Sequence, residues 1–244
     1  MSRVVVLETV RRHFTSVLVV AFVLVLAMLG LISARFDTPG SLWPGFLTLL
    51  TIGAGAGLIG PEFSSGTLQL ILVKPINRAT YLLSRWAGVV LVIWIAGAIA
   101  FACEAGARLL AGTADKIGVA ATALAGTACE ALLICALLTF FGTFLRAYFN
   151  VALYFLLQIV FGAVIGILSA TRMARSGFGA TIAAFVREHP EVPKAITWLE
   201  TNIFPERPAS LDRQWVLMIF CNTAIALALA CVIFRRREVP YGAD

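Results

Sequence analysis

The sequence predicts an all-α integral membrane protein with six transmembrane helices, and three observations lead there. Of the 244 residues, 60% are apolar and 13% charged, against about 45–50% and about 25% in soluble domains. The mean hydropathy is +0.94, too high for a chain of this size that must cover itself with a polar surface. Apolar runs close to the ~20 residues that cross the hydrocarbon as a helix follow one another along the chain. In lipid a helix satisfies its own backbone hydrogen bonds.

The spans fall at about 14–34, 44–60, 86–107, 117–141, 148–170 and 214–234, within one transmembrane domain covering 1–244. The opening MSRVVVLETVRRHF reads as an amphipathic cytoplasmic lead-in, since the apolar run after it is longer than the core of a cleavable signal. The second span is short and ends at Gly60-Pro61. Between the fifth and sixth, the outer loop 171–213 carries apolar residues at helical spacing (Ile182, Phe185, Val186; Ile196, Leu199, Ile203), with Pro190 and Pro193 between the two sets. Two short outer helices are expected there, lying on the membrane face or dipping into it, as a lid or as an interfacial cap. Gly53 and Gly57, Ala56 and Gly60, and Gly162 and Gly166 stand four apart, the spacing that lets helices approach closely in lipid, within the chain or between subunits.

Basic residues set the orientation. With both termini inside, the cytoplasmic segments hold Arg11, Arg12, Lys74, Arg78, Arg85, Arg146 and Arg235 to Arg237, while the short outer loops hold Arg35, Arg108 and Lys116. The 171–213 loop carries further basic residues and weakens the contrast. The net charge of +6 then faces anionic lipid and not nucleic acid. The five cysteines all fall within spans, without a CxxC pair, and are expected to act as small packing groups. No metal site is expected.

Residues 61–78, PEFSSGTLQLILVKPINR, interrupt the apolar pattern between the second and third spans. Phe63, Thr67, Leu70 and Ile71 make one stripe of a helix, with Glu62, Ser65 and Gln69 opposite. Pro61 suits a helix start, Glu62 the positive end of the dipole, and Pro75 a stop. Asn77 is placed to cap the next helix. A membrane-parallel helix results, and periodicity alone also allows a plain interfacial anchor.

The order Glu62, Gly66-Thr67-Leu68, Pro75-Ile76, Arg78, Tyr81, Arg85 resembles the E…GTL…P-I-x-R…Y…K/R pattern of permease subunits in the type-2 family of ATP-binding-cassette exporters. The resemblance is close over about residues 60–90 and otherwise one of layout; Arg85 stands where many members have lysine. It implies that this cytoplasmic amphipathic segment is a coupling helix contacting a separate ATPase subunit. Glu62 would lie at or near the contact, Gly66 would permit close packing, Pro75 with Arg78 would fix the turn into the third span, and Thr67 and Arg85 would belong to the same coupling set. The chain has no GxxxxGK[ST], so ATP-Mg would bind on the partner and this chain would carry neither cofactor nor enzymatic site. Six spans are half of such an exporter, so a second permease copy, identical or different, is implied, in the cell (inner) membrane.

Glu130 falls about 14 residues into the fourth span, where a charge costs roughly 2.5–3.5 kcal/mol and needs a partner, a proton or water. It marks a substrate path or a structural hydrogen bond. As the proton site of an ion-coupled carrier it supports an alternative function; an intramembrane enzyme is a further one, with few groups at one depth to serve it. Glu104 and Arg108, one turn apart, are expected to pair, and Asn150, Gln158 and Asn222 to bond between helices.

Overall fold

A computed structural model describes residues 2–58, 77–145, 149–171, 177–204 and 211–236, and the regular structure among these is entirely helical. The helices are α1 (Ser2–Phe14), α2 (Val17–Arg35), α3 (Trp43–Ala56), α4 (Arg78–Leu110), α5 (Ile117–Gly142), α6 (Phe149–Thr171), α7 (Gly177–Glu188), α8 (Glu191–Ile203) and α9 (Arg213–Arg236), with a 3-10 turn at Ala114–Lys116 before α5. Five helical segments, all but α1, α3, α7 and α8, are long and apolar enough to cross a membrane. This is an all-α architecture with the makings of a multi-pass membrane protein.

The span ends expected from hydropathy recur within a residue or two for α5, α6 and α9. Three expectations need correction. The first span does not begin at 14: α1 runs to Phe14, and Ser16 adopts an extended backbone (φ −75°, ψ 119°) that turns the chain into α2. Among the described residues the second span is regular over the 14 residues of α3, about 21 Å of rise. Its Gly53, Gly55 and Gly57 weaken the helix by roughly 1 kcal/mol each relative to alanine, and Gly57 leaves it at φ −83°, ψ 6°. The third span extends back to Arg78, which makes α4 33 residues long, about 50 Å.

The described residues fall into two compact units, 1–151 with 207–244, and 152–206. In the first, α4 is the central rod, with α1, α2, α3, α5 and α9 packed along it. Leu26, Leu82, Val92, Ile93 and Ala96 are fully buried in the shared core. Lipid tails are as apolar as leucine, so dispersion and close fit hold such a core together more than removal from water does. The close approaches involve glycines other than those the spacing singled out. A Cβ at Gly30 of α2 would meet the Ala100 carbonyl oxygen of α4 at 2.6 Å, and one at Gly88 would meet Thr9 Cβ of α1 at 2.7 Å. At Gly53 and Gly162 a Cβ would meet nothing within 4 Å, so among the described residues those two mark no close helix contact.

In the second unit α7 and α8 form the expected pair of short helices. Pro190 is the N-cap of α8 and Pro193 lies in its first turn, where a missing N–H costs nothing; Pro193 thus starts the second helix and does not separate the two. Phe204, just past α8, stacks edge-on against Tyr154 and contacts Phe161, with ring centroids 5.2 and 6.1 Å away.

Candidate functional site

Two polar sites stand at opposite ends of α4. At the Arg78 end, the Asn77 side chain accepts from the Ala79 N–H at 3.0 Å and caps α4 as its sequence position predicts. Glu62, Gly66, Thr67 and Pro75 lie outside the described residues. Arg78 is half-buried in the first turn. Arg85 does not present its charge at a surface: it is only 6% exposed, and its Nη1 donates to Thr9 Oγ1 of α1 at 3.2 Å. Thr9 Oγ1 in turn donates to the Val5 carbonyl. Tyr81, one turn before Arg85, is buried on the same side of α4. Tyr81 and Arg85 thus face inward, Arg85 against α1, which Gly88 lets approach closely.

Beside Arg85 opens a cavity of about 540 Å³ between the end of α1, the start of α2 and the end of α3. Arg12, His13, Ser16 and Arg85 form its polar side; Leu18, Phe22, Leu49 and Leu50 form much of the rest, over a wall containing Gly53 and Gly57. His13 Nδ1 lies 2.8 Å from the Thr9 carbonyl oxygen. Burial pushes the His13 imidazole below its usual pKa of 6.5, and the guanidiniums of Arg85 and Arg12 push the same way, against the raising effect of backbone hydrogen bonds at Thr9 and Ala54. His13 is accordingly neutral at pH 7.

At the Leu110 end the polar groups are enclosed. Glu104 and Arg108, 0% and 1% exposed, pair as their one-turn spacing predicts. Arg108 Nε and Nη2 donate to Glu104 Oε1 at 2.9 and 2.8 Å, and the indole N–H of Trp43 donates to Oε2 at 2.6 Å. Two helix stops bring further partners. After α2, Thr38 N–H bonds the Ser33 carbonyl and Asp37 N–H the Ala34 carbonyl, with Asp37 at φ 48°; after α4, Thr113 and Gly112 bond Arg108 and Leu109 in the same way, with Gly112 at φ 75°. Both are Schellman turns, whose left-handed residue suits glycine and is tolerated by aspartate. They place the Thr38 carbonyl 3.3 Å from Arg108 Nη2, and Asp37 against both Arg108 and Lys116. The sequence spacing revealed the pair but not Trp43 or Asp37; the Gly112 position after a span end was the one readable sign of the turn.

Glu130 is half-buried near the middle of α5 and does not line the cavity beside Arg85. Its neighbours Cys129 and Leu133 pack with Trp215 and Ile219 of α9. Asn150 makes the interhelical bonds expected of it, donating to the Ala56 and Leu138 carbonyls at 3.4 and 3.3 Å. The cysteines are free thiols, and among the described residues no three histidine, cysteine, aspartate or glutamate side chains gather as a metal site. In comparison with known proteins, no family model matches the chain and no curated protein matches it.

Proposed function

We propose that the chain is the membrane-spanning permease subunit of an ATP-driven transporter of the ATP-binding-cassette type-2 class, an exporter with six spans and both termini in the cytosol. The observation that carries this reading is the run Glu62, Gly66-Thr67-Leu68, Pro75-Ile76, Arg78, Tyr81, Arg85, whose last members enter a capped helix about 50 Å long. A push on residues 61–77 is delivered to the first turn of that rod. Arg85 and Thr9 join it there to α1, so α1 and α4 move together. α3 with the residues after it serves as the second span. ATP-Mg binds on a separate ATPase subunit, and two permease copies form the path across the cell (inner) membrane. Nucleotide binding moves the transporter between inward- and outward-open forms only through different affinity for the two.

The direct test is co-purification with an ATPase, followed by transport and ATP hydrolysis with Glu62→Ala. The expected result is an assembled complex whose ATP turnover no longer drives transport. Undiminished transport by Glu62→Ala removes the role given to that residue. Transport by the purified chain alone, driven by an ion gradient and abolished by Glu130→Gln, would replace this reading with the ion-coupled carrier.

A further inference from the structure

The cavity at the α1–α2 corner is asymmetric in its chemistry. Arg12, His13, Ser16 and Arg85 line one side; Leu18, Phe22, Leu49 and Leu50 line another; and among the described residues lining it none is acidic. We propose that it binds an anionic phospholipid, the phosphate meeting the guanidiniums and one acyl chain lying along the leucines and Phe22. Guanidinium groups pair with phosphate through parallel N–H donors in a planar fork, the geometry the exposed Arg12 can offer, with the buried Arg85 adding its positive charge beside the cavity. The volume, about 540 Å³, falls within the range of sites that enclose a small ligand or part of a larger one.

Two features give the source of the ligand. The basic residues stand just before Val17, where the long apolar helix α2 begins, which is the level of lipid headgroups beside a span. Leu18 and Leu49 are 64% and 52% exposed, so the apolar side opens laterally toward lipid. Gly53 fits the same use. A Cβ there would meet none of the described residues within 4 Å, and Gly53 lines the cavity, so its smallness serves the space. This assignment is independent of the transport reading and survives or fails without it.

The test uses the purified full-length protein in a nonionic detergent, with short-chain phosphatidylglycerol, phosphatidylcholine and inorganic phosphate as probes and native mass spectrometry as the readout. Arg12→Gln changes an exposed residue and Gly53→Leu enters open space, so both are expected to keep the parent melting temperature. Phosphatidylglycerol should bind in preference to phosphatidylcholine. Arg12→Gln should weaken it about tenfold through loss of a charge-assisted bond, and Gly53→Leu should weaken it by occupying the chain's place. Equal binding of the two lipids, unchanged affinity in both variants, or displacement of phosphatidylglycerol by equimolar inorganic phosphate would each overturn the assignment, the last because the acyl chain would then contribute nothing.

Discussion

The two ends of α4 use arginine in different ways. Near Leu110, Arg108 shares a closed network with Glu104, Trp43, Thr38 and Asp37, joining α2, α3 and α4 through charge-assisted bonds inside the protein. Near Arg78, Arg85 reaches Thr9 of α1 with a neutral hydroxyl as acceptor and borders an open cavity. A buried ion pair resists separation because either half alone is left charged in an apolar place. At the Arg78 end the polar groups instead border an open space. One end encloses its charges within the protein, the other sets them beside a cavity.

The largest expected effect breaks the closed end. Glu104→Ala leaves Arg108 buried without its carboxylate and should lower stability by about 3–5 kcal/mol, read as a fall in melting temperature in detergent. Replacing both residues by leucine should recover much of that loss, whereas a double variant no better than the single one would mean that packing, and not charge, sets the cost. A smaller effect is expected at the other end. Gly88→Leu forces α1 away from α4, since Thr9 Cβ stands 2.7 Å from the new Cβ, and should cost about 1–3 kcal/mol, while Gly53→Leu should leave stability unchanged. Equal losses from the two would contradict the separation between packed and open glycines.

The smallest effect is on pH. His13 is held below its ordinary 6.5 chiefly by burial, so the unfolded chain takes up a proton more readily than the folded one. Stability is therefore full above pH 6.5 and declines as the pH falls through the window just below it. His13→Gln should flatten that decline in a thermal-melt series from pH 7.5 to 5.5. An unaltered slope would assign the acid sensitivity to other groups.

Local rules made much of this legible. Apolar run length placed α5, α6 and α9, the preference of asparagine for caps gave Asn77, and one-turn spacing gave Glu104 with Arg108. What stayed hidden depends on partners far away in sequence. Nothing near Trp43 announces that its indole meets a carboxylate on α4. Arg85 looks like a surface charge until α1 is laid over it. Gly53 and Gly57 carry the same spacing as packing glycines, and only the neighbouring helices decide that Gly30 and Gly88 are the close contacts. The break at Ser16 rests on two small polar residues, Thr15 and Ser16, between Phe14 and the apolar run from Val17, too brief an interruption to stand out against the hydropathy on its C-terminal side.

The shortness of α3 reaches beyond the protein itself. Its 14 residues rise about 21 Å in a bilayer whose hydrocarbon is about 30 Å thick. On the six-span reading proposed above, whatever part of that thickness the residues after α3 do not cover is met by thinner lipid, or by water and headgroups dipping inward, at a cost that grows with every ångström of mismatch. Acyl-chain length thereby becomes a control on this corner of the molecule: short-chain membranes would relieve the pinch, and long-chain ones would press on it.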